Sequence, residues 1–129
     1  QMLSPVGVDI HFVAQMKFPN GVFAQIHSSF ITPYAPFVEI SGDQGKLFIP
    51  TPFVPGKNEK IILKQGDQSR VIRIQGPDLY QGEVADMEDA ILLGKPPRVT
   101  LKDSRNNTAV ILALLASARS GHPTQPKYQ

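Results

Sequence analysis

Two histidines, His11 and His27, are the residues of this chain whose type and spacing come nearest to chemistry. Each lies in a run of alternating apolar and polar residues. Pairing the runs as derived below sets His11 opposite Ser29 and Val13 opposite His27, so the imidazoles become diagonal neighbours on one sheet face. Asp9 shares that face. A metal centre needs three or four ligands, and His122 lies far along the chain in a loop, so a polar sheet surface is expected and no resident metal. Glu39, Asp43, Glu59 and Asp67 fall on turns and hairpins with nothing to fix the spacing that acid–base pairs require. The acidic cluster from Glu83 to Asp89 is the wet side of a helix. Ser41-Gly42-Asp43 lacks the glycine pattern of a nucleophile elbow. Gly42-x-x-Gly45 joins two strands instead of a strand and a helix, which excludes a phosphate loop. With no cysteine, thiolate metal sites, disulfides and a cysteine nucleophile are all ruled out. No catalytic constellation emerges.

The element that positions the histidines is the stretch from Val8 to Phe30. Val8, Ile10, Phe12, Ala14, Met16 and Phe18 alternate with Asp9, His11, Gln15 and Lys17, the period of a strand with one buried face. Pro19-Asn20-Gly21 suits a three-residue hairpin loop with a glycine bulge. That loop pairs Phe18 with Val22, Met16 with Ala24, Ala14 with Ile26 and Phe12 with Ser28. A two-residue Asn-Gly loop would set Lys17 against Ala24 and turn the wrong face inward. Prolines 33 and 36 then break regular structure. A second hairpin pairs Ile40 with Leu47 and Val38 with Ile49 across Gly42-Asp43-Gln44-Gly45. A third joins Lys60–Lys64 to Arg70–Ile74, and no register there keeps every isoleucine on one face. After Pro77 the period changes. Tyr80, Val84, Met87 and Ile91 form the apolar stripe of a helix, with Asp78 and Gln81 as a capping box and Gly94 as its stop. Arg98–Leu101 reads as a short strand, and Asp103 or Ser104 caps a second helix that ends at Gly121. The expected fold is α+β: an open antiparallel sheet of about six strands with two C-terminal helices covering one face.

A length of 129 residues, an apolar fraction of 41% and a charged fraction of 19% fit one folded domain spanning 1–129. The formal charge is +2. Lys57, Lys60, Lys64, Arg70 and Arg73 against Glu59 and Asp67 make a local excess of three positive charges. No aromatic residues are interleaved there for base stacking, so no nucleic acid is expected as a partner. The longest nearly apolar run, Ala109 to Ala118, is ten residues and is interrupted by Ser117, about half of a membrane span. No membrane association is expected, and the lack of cysteine fits a cytoplasmic location.

The odd face of the first hairpin is unusual in composition. His11, Val13, Gln15, Phe23, Gln25 and His27, together with Glu39 and Phe48 of the second hairpin, mix apolar and polar types in the proportion of an interface. These eight residues are the candidate interface or cleft face.

Several motifs then occur in a telling order. They are Phe18-Pro19-Asn20-Gly21-Val22; Val38-Glu39-Ile40-Ser41-Gly42-Asp43-Gln44-Gly45; Tyr80-Gln81-Gly82-Glu83 leading to Gly94-Lys95-Pro96-Pro97; and Asp103-Ser104-Arg105-Asn106-Asn107 running through to Ser117-Ala118-Arg119-Ser120-Gly121. Together they resemble the C-terminal domain of the Gfo/Idh/MocA oxidoreductases, the glucose-fructose oxidoreductase and inositol dehydrogenase group, from about Val8 to His122. The resemblance implies a two-domain NAD(P)-dependent parent acting on a sugar, inositol or related polyol. Its N-terminal Rossmann domain, absent from these residues, would hold NAD or NADP and the family's lysine. The family's Asp-x-x-x-His element would fall before Gln1, and Asp9-Ile10-His11 does not match its spacing. The chain would then bind no cofactor itself and be inactive alone. It would supply part of the substrate cleft and form a homo-oligomer through the open sheet face. Tyr80 matches a family tyrosine and is the one substrate-side candidate. The alternative is a free-standing binding or assembly module with the same fold and no catalytic activity.

Overall fold

A computed structural model describes residues 1–128 and orders the chain as seven strands followed by two helices. The strands are β1 (Met2–Leu3), β2 (Asp9–Lys17), β3 (Phe23–Ser29), β4 (Val38–Gly42), β5 (Gly45–Ile49), β6 (Asn58–Gln65) and β7 (Gln68–Gln75); the helices are α1 (Gln81–Leu93) and α2 (Leu101–Ser120). The α+β class holds, but the strands form two antiparallel sheets, β1-β2-β3 and β4-β5-β6-β7, in place of one sheet of about six. The reason lies in residues 30–37, where Pro33 and Pro36 interrupt the chain and no strand forms between β3 and β4. The residues group into two compact units, 1–33 with 99–129 and 34–98.

In the first unit the β2–β3 register is the expected one: Met16 opposes Ala24, Ala14 opposes Ile26, and Phe12 opposes Ser28. The three-residue loop sets it. Gly21 takes φ 85°, its N–H donates to the Phe18 carbonyl at 3.0 Å and the Phe18 N–H donates to the Val22 carbonyl at 2.8 Å. Asn20 Oδ1 accepts the Val22 N–H. The even face of β2 is the covered one, with Phe12 buried and Ile10, Ala14 and Met16 half-buried. On α2 the covered stripe runs through Asn106, Ala109, Val110, Ala113, Leu114 and Ser117, with Ala113 buried. Those steps of three and four define one helix face, and α2 is the helix of this unit. This stripe is the side of α2 turned from solvent, and the helix shares its compact unit with the first sheet. Its start differs from expectation. Residues 98–101 make no strand; Thr100 is the N-cap, and its hydroxyl accepts the Asp103 N–H while the Asp103 carboxylate accepts the Thr100 N–H. The box Thr-x-x-Asp outcompetes the β-branched pair Val99-Thr100 because it satisfies donors that a lone strand would leave unpaired. Gly121 closes the helix as expected.

In the second unit β4 pairs with β5 in the expected register, and the pairing reaches Gly42 opposite Gly45, which shortens the loop to Asp43-Gln44. Gly45 has φ 150°, and a Cβ there would lie 2.2 Å from the Lys64 carbonyl oxygen of β6. The third hairpin resolves as Ile61 opposite Ile72, Leu63 opposite Arg70 and Ile62 opposite Val71. Isoleucines lie on both faces, which is why periodicity alone left the register open. The helix α1 starts differently from expectation. Tyr80, not Asp78, is its N-cap, no side chain caps it, and the Asp78 carboxylate pairs instead with Lys57 at 3.0 Å. The stripe of Tyr80, Val84, Met87 and Ile91 is exposed, so its own unit does not cover it.

Candidate functional site

The face proposed from sequence is assembled on the first sheet by the hairpin register. Val13 opposes His27, Gln15 opposes Gln25, and His11 opposes Ser29, which brings His11, Val13, Gln15, Phe23, Gln25 and His27 onto one side. The His11 and His27 ring centroids are 4.8 Å apart, with their planes tilted by 52°. His11 Nδ1 lies 3.2 Å from Ser29 Oγ, which also accepts the Ile31 N–H at 3.2 Å. At the loop end, Lys17 Nζ sits 5.7 Å from the centroid of Phe23, the residue directly opposite, a cation–π contact that leaves the ring 64% exposed. Val13 is likewise exposed. Exposed apolar groups set among amides and imidazoles are what a dry-centred, polar-rimmed interface offers.

Glu39 and Phe48 do not join these six on one sheet. They oppose each other in β4 and β5, and the β4–β7 sheet shares no strand with the first. Glu39 accepts from Lys46 Nζ at 3.0 Å and from Ser41 Oγ at 3.2 Å. The Lys46 hydrogen bond and charge, then the Ser41 hydroxyl, hold its carboxyl below the usual value. Phe48 stacks near Phe37, with centroids 5.7 Å apart. Glu39 is therefore a paired surface carboxylate, ionised at neutral pH and unsuited to proton transfer.

Tyr80 stands apart from both groups. It is the N-cap of α1 with φ 68° and ψ −12°, the non-glycine residue held at positive φ among the described residues. A bulky side chain in that region costs about 1–3 kcal/mol, and the ring remains mostly exposed.

The described residues contain no group of three His, Cys, Asp or Glu that could hold a metal, and Asp9 does not complete the histidine pair. A concavity of 520 Å³ lined by Leu63, Gln65, Gln68, Ser69 and Arg70 lies at the tip of the β6–β7 hairpin and includes none of the candidate residues. One neighbour of the histidines escaped the sequence reading. Met2, on β1, pairs with His11, with a shift of register between Met2 and Leu3, which pairs with Asp9. The signal was Pro5-Val6-Gly7, a turn whose Gly7 takes φ 83° and whose flanks close through Ser4 N–H to the Val8 carbonyl at 2.7 Å.

Residues 1–48 match the family profile described as the GFO/IDH/MocA C-terminal domain. The resemblance to that domain holds. The matched stretch contains β1, β2, β3, β4 and most of β5, and with them all eight residues of the candidate face. A curated relative, D-xylose 1-dehydrogenase (NADP(+)) 2 of Haloferax volcanii, is 26% identical over 117 residues, covering 89% of this chain and 36% of that protein. The chain thus spans about a third of that relative's length. No solved structure matches. No helix among the described residues is long and apolar enough to cross a membrane.

Proposed function

We propose that this chain is the C-terminal domain of a two-domain, nicotinamide-dependent oxidoreductase acting on a sugar or related polyol, with a pentose such as D-xylose the first substrate to try. The observation that carries this reading is the match of residues 1–48 to the GFO/IDH/MocA C-terminal domain. The xylose dehydrogenase relative, aligned along nearly the whole chain, supports it. The chain's own residues do not fit a dinucleotide. Its glycine-containing turn joins β4 to β5 instead of opening a helix, and Gly45 is needed there for the approach of the Lys64 carbonyl. NAD or NADP would therefore be held by an N-terminal Rossmann domain, and no hydride-transfer step is derived from these residues.

Two roles are left for this part of the protein. The face of His11, Val13, Gln15, Phe23, Gln25 and His27 serves homo-oligomer assembly, and the Glu39–Phe48 pair contributes a second contact or cleft surface. Tyr80 is read as a substrate-side residue, because a strained, exposed aromatic at a helix start is what positioning of a ligand would maintain. The test is reduction of NADP⁺ or NAD⁺, followed by absorbance, in the full-length polypeptide supplied with D-xylose, other aldoses and inositols; the 129-residue chain serves as a blank. Turnover with at least one of these and none from the chain alone is expected. Tyr80→Phe should raise KM more than it lowers kcat. A full-length protein that reduces neither cofactor with any of them overturns the reading.

A further inference from the structure

We infer that Asn20 is a site of spontaneous deamidation, at which the tip of the first hairpin converts to aspartate and isoaspartate. This chemistry goes beyond the proposed oxidoreductase role and needs no nicotinamide. The residue after Asn20 decides it. The asparagines of the chain are Asn20, Asn58, Asn106 and Asn107, and Asn20 alone precedes a glycine. An asparagine loses its amide when the next peptide nitrogen attacks the side-chain carbonyl carbon, and a side chain on that next residue hinders the approach. Glycine has none. At Gly21 the space a Cβ would fill meets no atom beyond its chain neighbours within 4 Å, and Asn20 and Gly21 are both exposed.

The loop presents the amide for attack. Asn20 Oδ1 accepts the Val22 N–H at 3.3 Å, which folds the side chain back along the Gly21 peptide and sets a donor on the oxygen where negative charge develops. The Gly21 N–H donates to the Phe18 carbonyl at 3.0 Å, so the loop must open before the nitrogen reacts. Residues 18–22 are all exposed, and a tip without buried contacts opens readily. The other asparagines are held differently. Asn58 is paired opposite Gln75 at the start of β6, and Asn106 and Asn107 lie inside α2, where the following N–H belongs to the helical ladder.

The step needs only water. The Gly21 nitrogen gives its proton to hydroxide and bonds to Asn20 Cγ; the Cγ–Nδ2 bond breaks, and the nitrogen takes up a proton and leaves as ammonia. The product is a five-membered succinimide. Water opening it at Cγ gives aspartate, and opening at the main-chain carbonyl gives isoaspartate. Both add a negative charge, but isoaspartate also adds a methylene to the backbone of the three-residue loop. That loop sets the β2–β3 register, and register decides which side chains share a face. Isoaspartate therefore weakens the pairing that assembles the face of His11, Val13, Gln15, Phe23, Gln25 and His27. Aspartate keeps an acceptor for the Val22 N–H and leaves the pairing intact.

The test incubates the folded chain at mildly acidic and mildly alkaline pH and follows the tryptic peptide Phe18–Lys46, which contains Asn20 and no other asparagine, by mass spectrometry. Isoaspartate is read with an isoaspartyl methyltransferase. Amide loss at Asn20 is expected, faster at alkaline pH, with Asn58, Asn106 and Asn107 intact over the same period. Hydroxylamine, which traps the succinimide, should cut the chain between Asn20 and Gly21, and Asn20→Ser should abolish both the mass change and the cut. The isolated isoaspartate form should show a lower urea midpoint than the unmodified chain, whereas Asn20→Asp should not. An Asn20 that stays intact in the folded chain and converts only in urea, loss no faster at alkaline pH, or loss spread equally over the other asparagines would overturn the site. An isoaspartate form with an unchanged urea midpoint would overturn its effect on the pairing.

Discussion

Replacing Phe23 by aspartate tests the assembly face most directly. Phe23 is 64% exposed at the loop end of β3, opposite Lys17. A large aromatic side chain presents about 150–250 Å², so the exposed share is roughly 100–160 Å². At about 25 cal/mol per Å², covering it in an interface contributes about 2.5–4 kcal/mol per copy. A two-fold contact uses the same patch twice, so the variant loses about 5–8 kcal/mol of association free energy before the aspartate's own desolvation is counted. With every 1.4 kcal/mol a factor of ten, the dissociation constant rises by more than about a thousandfold. Folding should hardly change, because the ring is uncovered within its unit and gives up only a cation–π contact of about 0.5–1 kcal/mol. Light scattering at micromolar concentrations reads the result, with circular dichroism as the folding control. A wild type of dimeric or larger mass and a folded monomeric variant are expected. A monomeric wild type, or a variant of unchanged mass, refutes the assembly face.

Gly45→Ala should destabilise the second sheet by about 2–5 kcal/mol, combining a disfavoured backbone with a forced shift of β6, whereas Gly42→Ala, whose new Cβ meets nothing closer than 4.0 Å, should cost far less; urea midpoints that fall equally would contradict the structure. Tyr80→Gly relieves the left-handed conformation and should raise the melting temperature slightly, and a fall would mean that the Tyr80 ring packs. Thr100→Ala should cost about 1 kcal/mol of stability as a lost N-cap, seen as a lower urea midpoint. Asp103 has its carboxyl held below 3.8 by the Thr100 hydroxyl and then by the Thr100 N–H. Its stabilising contribution is therefore complete above 3.8 and is lost as pH falls through the lowered folded value; Asp103→Asn should flatten the acid limb of stability, and an unaltered limb would contradict the box.

How much of this was legible in the sequence depends on whether the deciding interaction was local. The β2–β3 register was readable because Pro19-Asn20-Gly21 and the alternating pattern specify the same pairing independently, and a one-residue slip would reverse every side chain. Thr100 was misread because its β-branched neighbours favour a strand, while the box that wins depends on Asp103, three residues ahead. The candidate face was half legible. Its six residues on β2 and β3 follow from one turn, but placing Glu39 and Phe48 beside them required a sheet continuous across Pro33 and Pro36, and periodicity within a hairpin says nothing about which hairpins join. Met2 was missed for a related reason, since a two-residue strand has no period to detect.

The α1 stripe shows the same limit from the other side. Tyr80, Val84, Met87 and Ile91 recur at helical spacing, and the chain does form the helix, yet each of the four remains between 61% and 71% exposed. Within its own unit the residues that α1 partly covers are Asp86, Asp89 and Ala90. Asp86 accepts the Arg98 N–H, and Asp89 is paired with Lys95 at 2.8 Å. The inward side of α1 is thus tied down by polar contacts to the segment that follows it, and these fix its orientation without using the apolar stripe. Hydrophobic spacing states which face gains from leaving water. It does not state which surface receives that face. The α1 stripe is thus an apolar face that the described residues leave in water.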